Sequence, residues 1–122
     1  MIYINCVQSI FFFWKIGQTV MNSRNYCWNP ALKLSTFYSY KYGFSELFSI
    51  SNVRYMEKFY KCFPIYYDEL NKLTFEHYKL LVNVSDVTRR YFYYRVALFC
   101  RSGVVELRQF IGEDMYLKIK KR

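Results

Sequence analysis

Residues 48–64 read FSISNVRYMEKFYKCFP, and this segment predicts one short helix with a defined start and a defined end. Ser49 or Ser51 can cap its first turn by accepting a backbone N–H, and Pro64 prevents the helix from continuing. The apolar residues recur at the spacing of one helical face and predict a buried seam of Val53, Met56, Phe59 and Tyr60. The basic residues fall elsewhere on the helix, at Arg54, Lys58 and Lys61. This pattern is typical of an ordinary surface helix, and also of a helix that enters a DNA groove.

Length and composition restrict the class of protein. A chain of 122 residues predicts a single domain, residues 1–122, with a frayed tail at residues 118–122. The apolar content of 53% excludes a disordered tail. A formal net charge of +9 favours an acidic partner, either nucleic acid or an acidic protein surface. The aromatic content of 23% fits core packing, base stacking and protein docking alike.

The cysteines and the amino-terminal segment indicate the cellular compartment of the protein. Cys6, Cys27, Cys62 and Cys100 are scattered, with no CxxC pair and no nearby histidine, so we expect no zinc site, no other metal and no cofactor. The apolar opening lacks the features of a secretory signal, and Lys15 ends it short of a membrane span. We therefore expect a cytoplasmic, soluble protein with no membrane contact, whose reduced cysteines are small core residues.

Helix signals dominate the rest of the chain and predict an all-α bundle of five to six helices. The first is a largely buried helix from Tyr3 to Val20. Pro30 suits the start of the second, which runs from Ala31 to Tyr42 and is ended by Gly43 as C-cap. After the segment 48–64 we predict three more: FEHYKLLV capped by Thr74, a fifth from Asp86 to about Arg101 capped by Ser85, and a sixth from Val104 to about Ile119.

The sequence contains no residue pattern that predicts a catalytic site. His77 is the only histidine, and the pattern favours a partly buried side chain that makes one hydrogen bond within the helix packing. The adjacent acidic pairs at 68–69 and 113–114 point in different directions on a helix, so neither pair forms an acid–base couple. No glycine-rich phosphate loop is present. We therefore expect a protein that is not an enzyme.

The last two predicted helices have the outline of a helix-turn-helix, because a short break at Ser102 and Gly103 separates them. On the first of them, Arg90 and Arg101 are three turns apart and share a face, with Tyr94 and Ala97 between them. The second has a seam of Val104, Leu107 and Ile111, and directs Arg108, Gln109 and Glu106 outward. Arginine and glutamine suit base edges and phosphates. A plain helical hairpin with solvated arginines is the alternative.

Three segments resemble one known family. Residues 73–111, LTFEHYKLLVNVSDVTRRYFYYRVALFCRSGVVELRQFI, are similar to the pattern LSWSHYxxLLxIxDxxxRxFYxxxAxxxxWSVRELxRQI in the N-terminal domain of YhcG-type nucleases. The segment 48–64 is similar to that family's FSxRNLRYMxxFYxxFP, and FWKIG at residues 13–17 to its YWEIG. The resemblance covers nearly the whole chain.

The resemblance implies an all-helical, helix-turn-helix-like DNA-binding domain that normally precedes a PD-(D/E)XK nuclease domain. The chain ends at Arg122, where the nuclease part would begin, and we expect none of its catalytic activity here. The family's Trp and Ser of WSVREL fall at Ser102 and Gly103. These departures remove a helix cap next to the predicted sixth helix, which is the candidate for contacting bases.

Two hypotheses follow. The first is a non-catalytic module that binds nucleic acid, with DNA favoured. Its predicted contacts are Arg89, Arg90, Arg101, Arg108 and Gln109, a second patch of Arg54 and Lys58, and the tail residues Lys118, Lys120, Lys121 and Arg122. The second is a protein-interaction module or inhibitor from a mobile element, which docks on a nuclease or defence-complex protein through a Tyr/Phe-rich surface. The sequence does not predict an oligomeric state. A third hypothesis is that the chain is a truncated remnant without function.

Overall fold

The computed structural model of the chain describes residues 9–25, 27–43 and 46–121. Within these ranges all regular structure is helical, which confirms the predicted all-α class. Two 3-10 helices occur there, Glu46–Phe48 and Asp68–Lys72. The α-helices of the same ranges number seven rather than five or six: α1 (Ile10–Ser23), α2 (Pro30–Tyr42), α3 (Ile50–Cys62), α4 (Phe75–Val82), α5 (Val87–Phe99), α6 (Val104–Gly112) and α7 (Met115–Lys120).

The chain divides into two compact units, unit 1 at residues 1–68 and unit 2 at residues 69–122. That residues 1–122 act as one domain stays a prediction. No helix in the described part of either unit is both long and apolar enough to cross a membrane.

Unit 1 is organised by the packing of α1 on α3, with α2 against both. The segment 48–64 forms the predicted helix, because Ser49 accepts the Asn52 N–H at 3.1 Å and the helix ends at Cys62, just before Pro64. Three predicted seam residues are fully buried, Val53, Met56 and Phe59. Tyr60, the fourth, is only half-buried.

Gly17 allows the backbones of α1 and α3 to approach closely. A Cβ atom at this position would lie 2.0 Å from the Met56 carbonyl oxygen and 2.6 Å from the Met56 carbonyl carbon. Trp14 links the same two elements, since its Nε1–H donates to the Phe63 carbonyl at 2.8 Å. The amino-terminal apolar segment is therefore held by one backbone contact and one buried hydrogen bond as well as by apolar packing.

Glu57 lies on the buried side of α3, where the sequence pattern gave it no role. The residue is 4% exposed, and its carboxylate forms a bidentate ion pair with Arg24 at the end of α1. Lys61 Nζ also lies 3.9 Å from Glu57 Oε2. The hydrogen bond from Arg24 lowers the pKa of the Glu57 carboxyl and outweighs burial, which raises it. Loss of Arg24 would leave a buried carboxylate poorly compensated.

Unit 2 consists of α4, α5 and α6, which pack against one another, and α7, which packs on α5 and α6. Its core contains the fully buried side chains of Tyr78, Leu81, Tyr93, Tyr94 and Leu107. The tyrosine hydroxyls are satisfied there, for example Tyr94, which donates to Glu69 Oε1 at 2.9 Å. Part of the high tyrosine content is therefore core packing with local hydrogen bonds.

Several predicted helix ends are confirmed by their caps. Pro30 is the first residue of α2, and Gly43 takes φ 98° while its N–H donates to the Ser39 carbonyl at 2.9 Å. Thr74 caps α4 and accepts the His77 N–H at 3.4 Å. Cap residues are therefore reliable local signals in this chain.

Other predicted helix ends are wrong. The first helix begins at Ile10 and ends at Ser23 rather than running from Tyr3 to Val20, since the Ser9 side chain caps its amino terminus. Residues 3–8 of the prediction lie outside the described residues. The fifth helix is capped by Asp86 rather than Ser85, because the Asp86 carboxylate accepts the Thr88 N–H at 2.9 Å.

The predicted sixth helix is two helices. α6 ends at Gly112, and Asp114 adopts the left-handed conformation with φ 50° before α7 begins. α7 extends to Lys120, and fraying of residues 118–122 stays a prediction. The break follows from contacts of the Asp114 side chain with α5, which a helical period in the sequence does not reveal.

The prediction that the cysteines are core residues is wrong for those described. Cys27 and Cys62 are half-buried thiols, and Cys100 is exposed at the end of α5. Cys6 lies outside the described residues. Cys100 is the C-cap residue of α5, and its N–H donates to the Val96 carbonyl at 3.0 Å.

Candidate nucleic-acid interface

The predicted break between α5 and α6 is confirmed as a tight turn at residues 100–103. Arg101 adopts the left-handed conformation with φ 52°, and the Ser102 N–H donates to the Ala97 carbonyl at 3.2 Å. Gly103 precedes α6 as its N-cap residue with extended backbone, and its N–H donates to Glu106 Oε1 at 3.4 Å. The strained position is therefore occupied by arginine, and the glycine replaces a capping side chain.

His77 fixes this turn against α4. Its Nδ1 accepts the Thr74 N–H at 3.1 Å, so its Nε2–H donates to the Ser102 carbonyl at 2.9 Å. The side chain is buried, with both ring nitrogens used. His77 therefore has the structural role that the sequence favoured, with one hydrogen bond more than predicted.

α6 presents one exposed face, which we call the reading face: Val105, Arg108, Gln109 and Gly112. These positions follow the i, i+3, i+4, i+7 spacing of a single helical side. Leu107 is fully buried behind them, and Val105 is 74% exposed. Gln109 donates to Glu113 Oε1 at 3.2 Å, whereas Arg108 has no hydrogen bond or ion pair with any described residue. The outward orientation predicted for Arg108, Gln109 and Glu106 is confirmed, because all three are exposed.

Arg89 is held inside unit 2. Its Nη1 donates to Asp114 Oδ2 at 2.8 Å, and its Nε lies 3.7 Å from Asp86 Oδ2. Tyr93 completes the cluster, since its hydroxyl donates to Asp114 Oδ1 at 3.3 Å and accepts the Tyr116 N–H at 3.1 Å. Burial raises the pKa of the Tyr93 hydroxyl, which keeps the proton needed for this bond. The cluster borders a surface pocket of about 480 Å³.

Arg90 is also engaged within unit 2. Its Nε donates to the Val84 carbonyl at 3.0 Å, and its Nη2 donates to the Ser85 carbonyl at 3.4 Å. The phosphate contacts predicted for Arg89 and Arg90 stay predictions, and each would compete with these internal bonds.

The predicted shared face of Arg90 and Arg101 is wrong. Tyr94 and Ala97, which were placed between them, are each 1% exposed and belong to the core. Arg101 follows the end of α5 and is exposed in the turn, where it borders a pocket of about 380 Å³ together with Lys72. The turn, and not the helical period, therefore sets the direction of Arg101.

The remaining predicted contacts within the described residues are exposed cations. Lys118 Nζ lies 4.0 Å from Glu113 Oε2, and Lys120 Nζ lies 5.8 Å from the centre of the Tyr116 ring. Three lysines of the carboxy-terminal segment are exposed, Lys118, Lys120 and Lys121. Arg122 lies outside the described residues. The second predicted patch, Arg54 and Lys58, is exposed on α3 of unit 1.

α5 carries an exposed row that the sequence reasoning missed, which we call the α5 stripe: Val87, Tyr91, Arg95 and Phe99. Val87, Tyr91 and Phe99 are 69%, 53% and 66% exposed. The Arg95 guanidinium lies 5.8 Å from the Tyr91 ring centre and 5.4 Å from that of Phe99. The repeat of four residues was visible in the sequence, but apolar residues at that spacing ordinarily predict a buried face.

The described part of the chain contains no cluster of potential metal ligands. No three side chains among His, Cys, Asp and Glu come together there in a way that could hold an ion.

Comparison with known proteins gives one result. The family model described as the DUF1016 N-terminal domain matches residues 4–118. No curated protein and no solved structure matches the sequence significantly.

Proposed function

Because this chain belongs to the DUF1016 N-terminal domain family, the N-terminal domain of YhcG-type nucleases, we propose that it is a non-catalytic DNA-binding module. The match over residues 4–118 confirms the family resemblance of the sequence. The observation that carries the proposal is the reading face of α6, where Arg108 and Gln109 are exposed and Leu107 is buried behind them.

The reading face has the chemistry needed to distinguish base pairs in a major groove. Arg108 can bond guanine O6 and N7, Gln109 can bond adenine N6 and N7, and Val105 can contact a thymine methyl group. Gly112 adds no side chain at the end of this face, so the groove can approach the helix closely. A short helix with this face, preceded by a tight turn from α5, fits the docking of a helix-turn-helix.

Phosphate contacts in this proposal come from cations around α6. Arg101 lies in the turn before the helix, and Lys118, Lys120 and Lys121 lie on and after α7, which packs on α6. If each of the four neutralises one phosphate, the slope of log K against log salt is about −3 to −4. The proposal does not use Arg89, Arg90 or the patch on unit 1.

A titration of labelled duplex DNA by fluorescence anisotropy, at about 50 and 200 mM salt, tests the proposal. We expect Arg108→Ala to weaken binding by about 1–3 kcal/mol, or roughly 5- to 150-fold. Arg95→Ala is the matched control, since it removes the same charge from an exposed arginine on the α5 stripe. Absence of binding at low salt, or an equal loss in both variants, would contradict the proposal.

A protein-interaction role is the second candidate, and the α5 stripe favours it. Exposed tyrosine, phenylalanine and arginine side chains are typical of interface hot spots. The partner class suggested by the sequence is a nuclease or a defence-complex protein. Co-purification from the native host that survives high salt, and that Tyr91→Ala with Phe99→Ala abolishes, would support this role. Loss of the partner at high salt in the unaltered chain would contradict it.

A further inference from the structure

The exposed side of α2 in unit 1 combines aromatic rings with lysines. We call it the α2 face: Lys33, Phe37, Tyr40 and Lys41, which follow the i, i+4, i+7, i+8 spacing of one helical side. Phe37 is 52% exposed and Tyr40 is 86% exposed. The opposite side of the helix, with Ala31, Ser35 and Ser39, is buried in unit 1. The two rings are therefore outside the core that α2 helps to form.

One cation of the α2 face, Lys41, lies beside a ring of that face. Lys41 Nζ lies 5.9 Å from the ring centre of Phe37, one turn earlier on the helix. Lys33 precedes Phe37 by one turn and has no ion pair with any described residue. An exposed ring beside an ammonium group can stack on a base while cations of the same helical side meet the adjoining phosphates.

The charged residues of α2 itself are all basic. Residues 1–45 contain no aspartate or glutamate, and the first acidic residue of the chain is Glu46. Of the cations in that stretch, Arg24 is neutralised by Glu57 within unit 1. The positive charge of α2 itself is therefore balanced by no acidic residue of its own helix, and an anionic ligand is the complementary partner.

We propose that the α2 face binds single-stranded nucleic acid, with bases stacked on Tyr40 and Phe37 and phosphates beside Lys33 and Lys41. Bases in a duplex stack on one another and hide their flat faces, whereas single-stranded bases expose them to aromatic side chains. This binding is sequence-tolerant and separate from the reading face of α6, so it stands or falls independently of the proposed function.

Other occupants fit the face less well. Two copies of the chain that met through their α2 faces would bring lysine against lysine, because α2 contains no acidic residue. A membrane-surface helix presents a continuous apolar face, whereas lysines and Thr36 interrupt the exposed side of α2.

The test is an anisotropy titration of the full chain with a labelled oligothymidylate of about ten nucleotides, a length that one such site can bind. We expect the Phe37→Ala, Tyr40→Ala double variant to bind the oligonucleotide at least about fivefold more weakly, because two stacking partners are lost. Lys33→Gln should flatten the slope of log K against log salt by about 0.7. Both rings are exposed, so a circular dichroism melt of the double variant should match that of the unaltered chain.

Two controls make the result specific. Tyr40→Phe keeps the ring and should keep the affinity, and Tyr91→Ala removes an exposed tyrosine from unit 2 and should leave oligonucleotide binding unchanged. The double variant should still bind duplex DNA through α6. The oligonucleotide titration therefore tests the α2 face, and the duplex titration tests the reading face independently. Oligonucleotide binding that is absent, that is unchanged in the double variant, or that is replaced by binding to anionic lipid vesicles would overturn the proposal.

Discussion

Gly17→Ala is the most informative single substitution for the fold of unit 1. The added methyl group would lie 2.0 Å from the Met56 carbonyl oxygen and 3.1 Å from the Glu57 nitrogen. These nearest atoms belong to the backbone of α3, which cannot rotate away as a flexible side chain would. To reach ordinary contact near 3.4 Å, α1 and α3 would have to separate locally by about 1.4 Å.

The expected cost follows from two opposing effects. Overpacking a core costs about 1–3 kcal/mol and sometimes more, and a rigid backbone contact belongs at the upper end. Alanine has a helix propensity about 1 kcal/mol better than glycine, which offsets part of that cost. Separation also weakens packing around the fully buried Val53 and Met56. We therefore expect a net destabilisation of about 2–4 kcal/mol.

Urea unfolding followed by tryptophan fluorescence measures this change close to the site. Trp14 is buried on α1 and bonded to Phe63, whereas Trp28 is 80% exposed, so the fluorescence change reports mainly on α1. Gly112→Ala is the matched control, because a Cβ there meets nothing within 4 Å. The control should be neutral or stabilising by up to about 0.5 kcal/mol. If Gly17→Ala is as stable as the unaltered chain, the contact of Gly17 with the Met56 backbone does not restrict residue 17 to glycine.

Three further predictions concern charge and backbone strain. The lowered pKa of Glu57 gives stability that is complete above its ordinary value of 4.5 and lost as pH falls through the folded value. Glu57→Gln should therefore show a weaker fall in unfolding free energy between pH 7 and low pH, and an unchanged pH profile would contradict the Arg24 pairing. Arg101→Gly should raise stability by about 0.5–1 kcal/mol in thermal melts, because glycine adopts the left-handed conformation without strain, while duplex affinity falls. A loss of stability would show that φ at this position is not strained. Asp114→Ala should cost about 1–3 kcal/mol in urea unfolding, since it removes the bonds to Arg89 and Tyr93, whereas Asp114→Asn should cost less. Equal costs for the two substitutions would contradict this account.

The helical class, the family and four residues at helix ends could be predicted from the amino-acid sequence. Ser49, Thr74, Pro30 and Gly43 act through backbone groups a few residues away, so their effect is local and can be read from spacing. The outward direction of Arg108 and Gln109 followed from the same short-range periodicity, because the buried Leu107 fixes the opposite side of α6.

Which of the arginine charges remain available to a ligand depends on the tertiary structure. Arg89 and Arg101 look alike in sequence, yet Arg89 is bonded to Asp114, twenty-five residues away along the chain, whereas Arg101 is exposed in a turn. The burial of Glu57 against Arg24, and the contact of Gly17 with Met56, likewise join residues from separate helices. Such pairings depend on how helices pack on one another, and a helical period records only which face is apolar and not what that face meets.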